Sequence, residues 1–118
     1  MYTPLDFDRP RNLRFDIAAC EDLETRLSAS LGEIIIKLNQ LSVTTTIAAL
    51  WAGCKHEDPT LTIALVRKRL QTYLDQGGRL RDINEALNKA LVDSTPLKTS
   101  KDAEESEGNA APEPAAIG

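Results

Sequence analysis

Leucine, isoleucine, valine and alanine recur three and four residues apart from about residue 16 to residue 93, a spacing that places them along one face of successive helices. Ahead of the first helix, "RNLRF" at 11–15 suits a short extended strand with Leu13 and Phe15 on one side. Asp16 is the candidate N-cap of a helix that stripes Ile17, Cys20, Leu23 and Leu27 together, leaving Glu21, Asp22, Glu24 and Arg26 to water. Ser30 with Glu33 has the spacing of a capping box, and the helix behind it presents Leu31, Ile34, Ile35 and Leu38. Ser42 caps a third helix, in which Val43, Ile47, Leu50, Trp51 and Cys54 share a face.

Beyond Pro59, Thr62 caps a fourth helix carrying Ile63, Val66, Leu70, Tyr73 and Leu74. "QGG" at 76–78 ends it, because glycine takes the left-handed conformation at little cost. A fifth helix from Leu80 presents Leu80, Ile83, Leu87, Ala90 and Leu91. Short connections favour antiparallel neighbours. The pattern therefore predicts an all-α fold: a compact bundle of four or five short helices over residues 1–94, with a short N-terminal strand.

The third helix is predicted to be its centre. Its three threonines are weak helix formers, so tertiary packing has to hold it. Gly53 inside it implies the close approach of a neighbouring backbone.

The pattern stops near Ser94. Residues 95–118 hold three prolines, two glycines, no aromatic and five acidic against two basic side chains, a composition that does not bury enough apolar surface to offset the entropy of ordering. They read as a disordered acidic tail. Of the chain's net charge of -4, about -3 belongs to the tail, which leaves 1–94 near neutrality. Neither part offers the basic face on which nucleic-acid affinity rests; "RKR" at 67–69 reads as a solvated helix stripe. No apolar run is long enough to span a bilayer and the N-terminus lacks a secretory pattern, so the expected compartment is the cytoplasm.

"LWAGCKHEDPTLT" at 50–62 gathers Cys54, His56, Glu57 and Asp58. On a helix Cys54 points inward, whereas His56 lies about 200° around from it, and a zinc site needs further ligands on the same side. The same geometry separates thiol from base, and no paired carboxylates or phosphate-cradling glycine loop occur elsewhere. The reading is of a non-enzyme with no metal and no cofactor. Lys55 and His56 then serve a helix C-terminus, and Glu57, Asp58 and Pro59 form the turn after it. Cys20 and Cys54 are expected to be free core thiols.

"LRFDIAACEDLETRLSASLGEII", "LSVTTTIAALWAGCKHEDPTLTIALV" and "GGRLRDINEALNKAL", in that order, resemble the small tail assembly chaperones of long-tailed bacteriophages and of gene transfer agents. The resemblance covers about residues 11–93. It departs from the family at the three threonines and at "LSAS". It implies an all-helical protein made in the cytoplasm of a phage- or prophage-bearing bacterium and absent from the mature particle. Its partners would be the tape measure protein, which it keeps soluble, and tail tube subunits, which it helps recruit; self-association is compatible with it. Trp51, Gly53 and Tyr73 are the candidate partner-binding residues, each also accounted for by core packing. Two other classes compete: a structural tail component such as a tube or connector subunit, and a small helical adaptor or regulator.

Overall fold

The computed structural model describes residues 2–94; the acidic tail read at 95–118 lies outside them. The element order is β1 (Thr3–Asp6), β2 (Pro10–Leu13), α1 (Ile17–Leu27), α2 (Leu31–Asn39), α3 (Val43–Cys54), α4 (Ile63–Asp75) and α5 (Leu80–Val92). The expected five helices are all present, and the single predicted strand is one arm of an antiparallel hairpin. Leu5 pairs with Arg11 and Thr3 with Leu13 in its register, and these four side chains are the buried ones. The fold is thus mostly helical rather than purely all-α. Among the described residues no helix is long and apolar enough to cross a membrane.

Four helix starts follow local rules. Asp16, Ser30, Ser42 and Thr62 each accept a hydrogen bond from a backbone amide three residues on, and Ser30 and Glu33 close a reciprocal capping box. Gly77 takes a φ of +93° just past α4, the left-handed position that favours glycine.

Helix α3 is the hub. It packs against all four other helices and β2, and every residue from Thr45 to Leu50 is buried, as is expected of a helix surrounded on all sides. Two of its three threonines have specific roles. Ser42 Oγ donates to Thr45 Oγ1 at 2.9 Å, and Thr46 Oγ1 lies 2.7 Å from the Ser42 carbonyl and 3.0 Å from Asn84 Oδ1, its one proton serving two acceptors. Asn84 also donates from Nδ2 to the Leu38 carbonyl at 2.7 Å, so one buried amide ties α5 to α2 and α3.

Gly53 is where β2 and its extension cross α3. The Arg14 amide donates to the Gly53 carbonyl at 3.0 Å, satisfying one of the helix's last free carbonyls. A Cβ on Gly53 would lie 2.8 Å from Phe15 Cζ and 3.2 Å from Leu13 Cδ2. The space a Cβ would need is thus taken by side chains rather than by the anticipated backbone, which approaches at the carbonyl instead.

Several stripe residues are less buried than their spacing predicts. Leu23, Leu38, Ile47, Leu50, Val66, Leu70, Ile83 and Leu87 are in the core, but Leu27 and Trp51 are only partly buried, and Ile17 (55%) and Val43 (53%) are exposed, as is Leu74. Ile17 and Val43 are the first residues of their helices. Cys20 and Cys54 are buried and unpaired with each other.

Candidate functional site

Residues 56–58 clasp the hairpin. Glu57 accepts from the Asn12 amide at 3.2 Å and from Asn12 Nδ2 at 3.1 Å, while His56 Nε2 meets the Asn12 carbonyl and its ring lies 5.4 Å from that of Tyr2. Asp58 lies 3.4 Å from Arg11, whose side chain is only 1% exposed and which donates to both oxygens of Asp8 at 2.8 and 2.7 Å. Arg69 closes the group with Asp8 at 3.0 Å. The clasp was not legible in the sequence, because Asn12 and Arg11 are 45 and 47 residues from their partners.

Its electrostatics are those of a lock. Burial pushes the Asp8 carboxyl up, but the hydrogen bonds and charge of Arg11 outweigh it, and the net position is below the ordinary value. Hydrogen bonds from Asn12 lower Glu57, and those from Thr60 and then Arg11 lower Asp58. Burial pushes both thiols up to about 11, so Cys20 and Cys54 stay protonated at neutral pH. Among the described residues no group of three or more His, Cys, Asp or Glu side chains is arranged to hold a metal ion.

The feature suited to recognition lies elsewhere. Where α1 ends and α3 and α4 begin, an open groove of about 630 Å³ is lined by Leu27, Val43, Ile47, Ala48 and Ile63, with Arg26 and Arg67 beside them. Leu27, incompletely covered, and Val43, exposed, both line this groove. Neither arginine has a carboxylate within ion-pair distance among the described residues. Arg26 instead stacks over Trp51, 5.5 Å from the ring centroid, and Lys55 covers the same ring at 4.2 Å while pairing with Asp22. The site offers apolar area and two guanidinium groups, which is chemistry for binding.

The three candidate contact residues are not brought together. Trp51 is partly buried and borders the groove through Arg26. Gly53 is buried under Phe15 and Leu13 and presents no surface. Tyr73 lines a separate depression of about 190 Å³, its ring 5.9 Å from Phe7 and its hydroxyl 3.4 Å from the Arg79 carbonyl. Sequence reasoning missed Arg26, Val43 and Arg67. Their one signal was a valine at the apolar start of a helix and an arginine within a basic run, and neither distinguishes a groove from an ordinary surface.

No protein-family model matches the chain, and neither a curated protein nor a solved structure matches it significantly.

Proposed function

We propose that this protein is a tail assembly chaperone, as the resemblance over residues 11–93 implies. It binds the tape measure protein, keeps that long helical chain soluble and helps recruit tail tube subunits around it. On this reading it acts in the cytoplasm of the bacterial host and does not enter the finished particle.

The observation that supports this reading is the open, partly apolar groove between α1, α3 and α4. A tape measure chain awaiting assembly exposes apolar helix stripes that aggregate, and a soluble binder has to cover them with a matching concave surface. Such recognition sets an amphipathic helix into a groove, with side chains at i, i+3, i+4 and i+7 as anchors. The volume of about 630 Å³ accommodates a few such anchors, and the exposed Val43 is apolar area left ready for them. The groove is open rather than enclosed, in keeping with a client that tube subunits later displace.

Co-expression with the neighbouring tape measure protein tests the reading. The expected result is a higher soluble yield of the long chain and a complex that survives size-exclusion chromatography. Val43→Asp, a substitution at an exposed position, should leave the melting temperature within a few degrees and abolish the gain. A tape measure protein that stays insoluble with and without the chaperone, at matched expression, would refute the proposal and favour the small helical adaptor.

A further inference from the structure

We propose that the groove between α1, α3 and α4 is the docking site of the protein's own acidic segment, residues 102–117, which occupies it when no other ligand does. This is independent of what the external ligand is.

Charge complementarity is the first argument. "DAEESE" at 102–107 places Asp102, Glu104, Glu105 and Glu107 within six residues, the densest acidic run in the chain. Arg26 and Arg67, beside the groove, have no carboxylate partner among the described residues, whereas Arg9, Arg11 and Arg69 are already paired with Asp8 or Asp58. An acidic ligand at this rim therefore meets positive charge that is not already neutralised. The segment that follows, "AAPEPAAI" at 110–117, is mostly alanine, proline and isoleucine, small apolar groups suited to lie on Val43 and Ile47.

Reach is the second. The described chain ends at Ser94, which lines a small cavity with Phe15 and Asp16 at the start of α1. Arg26 lies ten residues further along α1, about 15 Å at the rise of an α-helix. Asp102 follows Ser94 by eight residues, a stretch that extends to about 27 Å at most. The acidic run can thus reach the groove from the point where the bundle ends. Being tethered, it acts at an effective concentration on the order of millimolar, high enough for a contact that would be weak between separate molecules.

The occupant is a weak one by construction. It carries few large apolar side chains, and its attraction rests on charges near the surface that salt screens beyond about 8 Å at physiological ionic strength. A ligand with a continuous apolar stripe displaces it, while an apolar surface of lower affinity does not.

A nitroxide attached through Ser106→Cys in the full-length chain tests this directly, since Cys20 and Cys54 are buried and only the new thiol reacts. The expected result is at least a twofold loss of amide signal at Val43, Thr44, Ile47 and Arg67 relative to the reduced label. Asn39 and Arg81, in another depression, should keep theirs. Arg67→Glu should abolish the loss, as should 0.5 M salt, and combining Arg67→Glu with Glu104→Arg and Glu105→Arg should restore it. Signal loss confined to residues near Ser94, or spread evenly over the surface, would overturn the proposal. So would loss seen only when labelled and isotope-enriched chains are mixed, because the occupant would then be a second copy.

Discussion

Arg11 and Asp58, 47 residues apart in the chain, meet at 3.4 Å and join the N-terminal hairpin to the connection between α3 and α4. Arg11 occupies a core-facing strand position opposite Leu5, and it is tolerated there because Asp8 and Asp58 supply acceptors for its guanidinium. Leaving a buried charge underpaired is worse than removing it. Asp8→Ala, which deletes the two shortest bonds, should therefore cost on the order of 2–3 kcal/mol. Arg11→Met, which keeps the apolar stem, should shift stability by less than about 1 kcal/mol. Urea unfolding of both variants measures the order, and the reverse order would show that the ion group is a net source of stability.

The same clasp predicts sensitivity to acid. Asp8, Glu57 and Asp58 have folded-state values below the ordinary 3.8 and 4.5, so the unfolded chain binds protons more readily than the folded one. Their contribution is complete above the unfolded values and is lost as pH falls through the lower folded ones. The urea midpoint should be level in this respect down to about pH 5 and decline below it. The variant with Asp8→Asn, Glu57→Gln and Asp58→Asn should be less stable at pH 7 and show a shallower decline; an unchanged slope would place the acid sensitivity elsewhere.

Gly53→Ala tests the crossing of β2 over α3. Helix preference alone favours alanine by about 1 kcal/mol. The new Cβ would nevertheless sit 2.8 Å from the Phe15 ring, and overpacking typically costs about 1–3 kcal/mol. A net loss of up to about 2 kcal/mol is expected. It should be relieved by adding Phe15→Leu, which frees the space, and a stabilised Gly53→Ala protein would mean that the hairpin yields easily.

Two asparagines on α5 should behave differently. Asn84 binds the Leu38 carbonyl and Thr46, so Asn84→Ala should cost about 2 kcal/mol by leaving buried partners unsatisfied. Asn88 Oδ1 is buried without a partner among the described residues, and Asn88→Ala should stay within about 0.5 kcal/mol of the parent. Thermal denaturation of the pair checks the contrast, which disappears if the amide at position 84 is not what joins the three helices.

By itself, the sequence determined the five helices and most of their ends. Asp16, Ser30, Ser42 and Thr62 cap their helices through neighbours three residues away, and Gly77 ends α4 through its own backbone, so these features depend on local chemistry alone. The inward direction of Cys54, Leu23 and Leu87 also followed from helical period. Tertiary structure decided the rest. Thr3–Asp6 is a strand only because Pro10–Leu13 pairs with it, and the four-residue arm carries too little pattern to announce itself. Arg11 shares a strand face with Leu13, but its acceptors exist only because the turn brings Asp8 beside it and the α3–α4 connection brings Asp58. Val43 sits on an apolar stripe as Leu50 does, yet Leu50 is covered by neighbouring elements and Val43 opens onto the groove. Period tells which way a side chain faces, whereas what lies across from it depends on where other elements end, and that is a property of the assembled bundle.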